Sequence, residues 1–131
     1  MSPTQLTQTS IESHARFVRR VVQHSTVWGL RCDAGWAVCP SNQDGGKESA
    51  DVMPFWSDKA YARRAAKDGW SHYQATPIAL EEFIASWLSG LSKAGTLVGT
   101  NWDANNCGLE TEARVVEKEL AAERERQSRV G

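Results

Sequence analysis

At 131 residues the chain has the length of one domain, enough to bury about two-thirds of its unfolded surface and to hold a core without disulfides or metal. A content of 40% hydrophobic and 24% charged residues excludes wholesale disorder, and a formal net charge of -1 argues against a generic binder of nucleic acid or anionic membrane, both of which need a basic surplus. Tryptophan is the unusual count: six, against two tyrosines and three phenylalanines.

Residues 1–9 are polar and uncharged, with neither the basic start nor the apolar stretch of a secretory signal, and read as a flexible N-terminus. No apolar run approaches the roughly 20 residues needed to cross a membrane, so the expected location is cytoplasmic. Thr9-Ser10-Ile11-Glu12 fits a capping box with Thr9 as N-cap, and Ile11, Ala15, Val18, Val21 and Val22 recur at helical spacing, predicting a helix over 10–23. Arg16, Arg19 and Arg20 lie off that stripe and read as a solvated face. Strands are expected over 27–32 and 36–40, around a turn at Asp33-Ala34-Gly35 that sets Cys32 opposite Trp36 and Cys39 opposite Gly29. Residues 41–49 form a polar loop, and a third strand follows over 52–56, where Pro54 marks irregularity or an edge.

A second helix starts at Ser57 as N-cap and runs to about Lys67, with Asp58 in the positive field of its first turn, Trp56 and Tyr61 spaced as a hydrophobic staple, and Gly69 as the stop. Lys59, Arg63 and Lys67 make a basic stripe on it, without aromatic interleaving in the sequence. A fourth strand over 70–76 leads through Pro77 into a helix over 79–94, where Leu80, Phe83, Ile84, Trp87, Leu88 and Leu91 give the broadest apolar face in the chain and Gly95 ends it. A fifth strand over 96–102, a turn at 103–106 and a sixth strand over 108–112 follow. The charged tail over 113–131, with only Val115, Val116 and Leu120 to bury, reads as a weakly docked helix or a frayed end.

This order predicts a single α+β domain over 10–112, a mixed β-sheet of about five to six strands packed with three to four helices. If the third, fourth and fifth strands join one sheet through their helices they run parallel, which puts their carboxyl ends on one rim, where ligands of open α/β sheets tend to bind. Trp56, Ser57, Asp58 and Lys59 end the third strand, and Asn101, Trp102 and Asp103 end the fifth; these are the candidate binding residues. The two Trp-Asp clusters offer rigid contact area, and the competing explanation is that all six tryptophans are core or staples.

Catalysis is less well supported. Asp58 and Asp103 form a possible acid–base pair, but capping and turn formation explain both. Ser57 lacks a GxSxG setting, and the chain has no Walker or GxGxxG sequence. Cys32, Cys39, Cys107, His14, His24 and His72 show no metal-ligand spacing, so no metal and no cofactor is expected, and the cysteines read as buried small hydrophobes of a reducing compartment.

The segments Val27-Trp28-Gly29-Leu30, Gly35-Trp36-Ala37, Pro54-Phe55-Trp56-Ser57-Asp58-Lys59-Ala60-Tyr61-Ala62, Leu80-Glu81-Glu82-Phe83, Trp87-Leu88 and Val98-Gly99-Thr100-Asn101-Trp102 together resemble the bacterial family called domain of unknown function 2750, over about Phe17 to Leu109. The resemblance implies a small, stand-alone bacterial cytosolic protein and brings no catalytic residue with it. The expected function is that of a protein-binding module without catalytic activity, its partner another protein and neither nucleic acid nor membrane. The alternatives are a toxin-neutralising immunity-type protein, and a small-molecule binder or enzyme with its site at the rim near Trp56 and Trp102.

Overall fold

A computed structural model describes residues 8–41, 50–106 and 108–130. The expectations for residues 1–7, for most of the polar loop (42–49) and for Cys107 lie outside the described residues. The elements are α1 (Gln8–His24), β1 (Thr26–Cys32), β2 (Gly35–Trp36), β3 (Cys39–Pro40), β4 (Asp51–Phe55), α2 (Lys59–Ala65), β5 (Gln74–Ala79), α3 (residues 80–94), β6 (Leu97–Thr100), β7 (Leu109–Thr111) and α4 (Ala113–Val130).

The protein is a single α+β domain, and its strands divide between two sheets, ordered β2-β1-β5 and β3-β4-β6-β7. Only β4 and β6 form the expected parallel pair, from Val52↔Leu97 to Phe55↔Thr100. The strand between them in sequence, β5, runs antiparallel to β1 instead. Among the described residues one isolated bridge stitches the sheets together: Trp28 N–H donates to the carbonyl of Trp56 at 2.8 Å, and Trp56 N–H to that of Trp28 at 2.7 Å.

That bridge also explains Pro77. Trp28 spends its backbone groups on Trp56, so its antiparallel partner Pro77 is a non-hydrogen-bonded pair whose missing N–H faces the open edge of β5. Pro54 is placed by the same parity. Its nitrogen points the way of the Trp56 N–H, into the interval between the last β3 pair, at Val52, and the bridge. Pro54 therefore sits in an interior strand at no cost to a ladder.

Several boundaries differ from expectation. Thr9 lies inside α1, so it does not cap that helix. The hairpin turn is one residue tighter than expected, pairing Cys32 with Gly35 (φ 128°) and Arg31 with Trp36. The strand then breaks, and Cys39 joins the other sheet opposite Val52 rather than facing Gly29. The N-cap of α2 is Asp58, not Ser57, which moves Trp56 and Tyr61 out of staple register, although both still pack in one apolar cluster. α2 ends at Ala65, short of Gly69, which lies in a 3-10 turn (Asp68–Trp70). Trp70 closes that turn rather than beginning a strand, and β5 starts at Gln74.

Two apolar clusters form the interior. In the larger, Phe17 and Val21 of α1, Leu80, Phe83, Leu88 and Leu91 of α3, and Val116 and Leu120 of α4 cover Val27, Phe55 and Val98 of the sheets. A π-helical turn over Phe83–Trp87 inserts into α3, which rotates Ile84 and Trp87 to a half-buried position beside the core. The second cluster lies under α2 and joins Ala62 and Ala65 to Leu30, Val52, Trp56 and Trp102. α4 is firmly docked, with Ala113, Val116, Leu120 and Glu123 buried. The pairs His14–Glu119 and Arg19–Gln127 show that α1 and α4 run side by side in the same direction. Among the described residues no helix is long and apolar enough to cross a membrane.

Candidate functional site

The rim predicted from sequence exists, because β4 and β6 are parallel neighbours and both end there. Past Thr100 the chain must leave the sheet, and Asn101 turns it with φ 48°, a left-handed conformation that Asn tolerates better than most residues. Asn101 N–H still donates to the carbonyl of Phe55, at 2.9 Å, extending the ladder one step. Its side chain then continues the pairing: Oδ1 accepts from the Ser57 amide at 2.8 Å, while Nδ2 donates to Ser57 Oγ at 3.0 Å and to the carbonyl of Ser13 on α1 at 3.3 Å. Ser57 Oγ donates in turn to Asp58 Oδ1 at 2.6 Å.

Asp58 does not cap α2 with its side chain. Arg20 of α1 grips it in a two-point fork, Nε to Oδ1 at 2.8 Å and Nη2 to Oδ2 at 2.7 Å. The guanidinium holds the Asp58 carboxyl below its ordinary range. Ser13 and Arg20 are two helical turns apart, so one face of α1 supplies both contacts. That face closes the rim.

The indoles are closed off as well. Trp56 is fully buried and Trp102 is 3% exposed. Trp56 Nε1 donates to the carbonyl of Trp102 and Trp102 Nε1 to that of Leu109, both at 3.0 Å. Trp102 lies flat on glycine backbone: a Cβ added at Gly99 or at Gly108 would come within 2.5 Å of the ring. The contact area that the sequence offers to a partner through these two rings is therefore turned inward. Asp103 is exposed and accepts the Asn105 amide at 2.8 Å, a turn role.

A second chain of polar groups runs beside the first, and its members are far apart in sequence. His14 Nδ1 lies 2.8 Å from Thr100 Oγ1, and Nε2 lies 2.8 Å from Glu119 Oε1. A carboxylate only accepts, so Nε2 donates to Glu119, and in the neutral imidazole Nδ1 is then the acceptor for the hydroxyl. Hydroxyl, imidazole and carboxylate follow in the order of an activated nucleophile. Thr100 is fully buried, however, so no substrate reaches it, and the relay ties α1 and α4 to β6. No local spacing among residues 14, 100 and 119 announces this group.

Of the seven predicted binding residues, Lys59 is the one that leads to an open surface with unmatched charge. Ala62 and Ala65 bury one face of α2, which turns Lys59, Arg63 and Arg64 to solvent, and Lys67 follows beyond the helix end. Among the described residues none of these four cations has a carboxylate within ion-pair distance. Two of them rest on aromatic rings instead. Lys59 Nζ lies 5.8 Å from the Trp28 ring centroid, and Arg64 lies 5.3 Å from that of Tyr61. Half-buried Trp70 and Tyr73 pack edge to face nearby, with centroids 6.5 Å apart. The interleaving that sequence adjacency lacks is supplied across the fold by β1 and by the segment before β5.

Cys32 and Cys39 are free thiols, each half-buried rather than fully enclosed. Burial pushes the Cys39 thiol up to about 11, away from nucleophilic chemistry. Among the described residues no three His, Cys, Asp or Glu side chains converge as a metal site. The chain matches the family model described as Protein of unknown function (DUF2750) over residues 14–120, a span that takes in both His14 and Glu119. No curated protein and no solved structure matches it.

Proposed function

The chain belongs to the DUF2750 family, and we propose that it acts by binding another protein through the basic, aromatic-backed face of α2, rather than by catalysis. The observation that carries this reading is the set of four cations on one short stretch, Lys59, Arg63, Arg64 and Lys67, all without an ion-pair partner among the described residues, two of them, Lys59 and Arg64, over half-buried rings. Within a chain of net charge -1 such a patch is local. It suits an acidic segment of a partner protein better than the long phosphate track of a nucleic acid. The partner and this protein meet in the bacterial cytoplasm, a setting in keeping with its free cysteines.

The test is affinity capture with the parent chain and with an Arg64→Glu/Lys67→Glu variant. Both positions are exposed, so the variant stays folded, its melting temperature lowered at most slightly by the lost Arg64–Tyr61 contact. The expected result is a partner retained by the parent at low salt and lost both from the variant and from the parent at high salt. Identical capture by parent and variant overturns the reading.

A further inference from the structure

We infer that the cleft between α2 and the start of β5 is the anchoring point of that contact, and that it takes one doubly charged phosphoryl group carried on a side chain of the partner. The inference rests on the α2 docking reading and adds to it a ligand chemistry. The cleft has a volume of about 440 Å³. Lys59 and Arg63 of α2, with Ala66 just past its end, line it together with Ser71 and Tyr73 of the segment that leads into β5 and Gln74 and Ala75 of β5 itself.

Charge selects the ligand class. Lys59 and Arg63 bring two positive charges, and among the described residues no acidic side chain lines the cleft. A carboxylate balances one of them, whereas a phosphate monoester carries roughly -1.5 to -2 at neutral pH and balances both. Donor count points the same way. The Arg63 fork, the Lys59 ammonium, the Ser71 hydroxyl and the Gln74 amide are donors without a partner among the described residues, and three phosphoryl oxygens can engage them together. The Trp28 ring under Lys59 limits where that ammonium can go, so part of the ordering is done before binding. A larger cleft of about 760 Å³ on the other side of the same segment lacks this single sign, because Asp33 lines it together with Arg31.

The experiment titrates the ¹⁵N-labelled full chain with a short alanine-glycine peptide carrying one phosphoserine, with the same peptide carrying serine or glutamate, and with inorganic phosphate. The expected result is saturable shifts of the Lys59, Arg63, Ser71 and Gln74 amides by the phosphoserine peptide. Affinity should be at least tenfold above that of the glutamate peptide, and at least tenfold weaker in Arg63→Gln and in Lys59→Gln. Inorganic phosphate binding as tightly as the peptide overturns the partner side chain as the source and assigns the site to a small phosphate ester. Equal affinity for the phosphoserine and glutamate peptides, or unchanged binding by Arg63→Gln, overturns the site itself. The two readings separate cleanly. No phosphoryl binding, with partner capture still lost in Arg64→Glu/Lys67→Glu, removes this inference and leaves the docking face. Phosphoryl binding with capture unaffected removes the docking face, and with it the anchoring role, and leaves only a phosphoryl site.

Discussion

Asn101 and Ser57 exchange two hydrogen bonds across the ends of the parallel strands β4 and β6, at 2.8 and 3.0 Å, and neither residue is more than 6% exposed. In a Rossmann-like sheet this is the crevice left open for a ligand. Here a side-chain amide fills it, and α1 lies over it through Ser13, His14 and Arg20. The rim is thus a joint of the fold, and the surface with unmatched chemistry lies one element further on, along α2.

Asn101→Ala removes the joint. It leaves the buried Ser57 amide without its acceptor, a loss of about 1–3 kcal/mol, and it places Ala in a left-handed conformation that costs roughly another 1–2 kcal/mol. Urea unfolding of parent and variant measures the sum. A change below about 0.5 kcal/mol, the size of an ordinary surface substitution, would show that Asn101 is not a structural tie.

Glycines in contact and in open space should respond with opposite signs. Gly99→Ala drives a Cβ to within 2.5 Å of the Trp102 ring, which is itself fixed by its bond to Leu109. Overpacking of this kind costs about 1–3 kcal/mol. Gly90→Ala, on α3 with nothing within 4 Å, should stabilise by about 0.5–1 kcal/mol, since Ala suits a helix interior better than Gly. Thermal melts of the two variants check both signs.

The Arg20–Asp58 pair predicts a pH signature. Hydrogen bonding to Arg20 lowers the Asp58 carboxyl in the folded state below its unfolded value. The pair's contribution is therefore complete above the unfolded value of about 4 and is lost as pH falls through the lower folded value. Arg20→Met should lower the urea midpoint at pH 7, and the gap to the parent should narrow steadily below about pH 4. A gap independent of pH between 7 and 2.5 would assign the effect to lost packing of the Arg20 stem.

α4 should behave as part of the domain. Leu120 is fully buried against the α1–α3 core, so Leu120→Ala should cost about 2–5 kcal/mol in chemical denaturation. Arg129→Ala, at the exposed far end in an i,i+4 pair with Glu125, should change stability by less than about 0.5 kcal/mol.

Much of the site was legible, and what failed is instructive. The PFWSDK and TNWD segments predict two strand ends on one rim, and β4 and β6 do run parallel with those ends together. Burial was not legible. Tryptophan at a strand end looks the same in sequence whether its ring faces a partner or, as with Trp102, lies on Gly99 and Gly108. Asp58 and Arg20 carried local explanations, a helix cap and a solvated face, and the structure spends both on each other across 38 positions. The basic stripe is visible in the sequence, but the ring behind its first member, Lys59, comes from Trp28, a strand away.

The sequence by itself determined the α+β class, the approximate place of each main helix, and the pairing of two polar strand ends, because periodicity, turn residues and strand–helix alternation are properties of neighbouring residues. Tertiary structure alone decided that β5 pairs with β1, that the weakly apolar last helix docks, and that His14, Thr100 and Glu119 meet. Those outcomes depend on which surfaces and polar groups satisfy one another at long range. A strand carries no mark of its partner, and a helix with few apolar residues stays put when, as with Val116 and Leu120, those few fall on the side that the core leaves open.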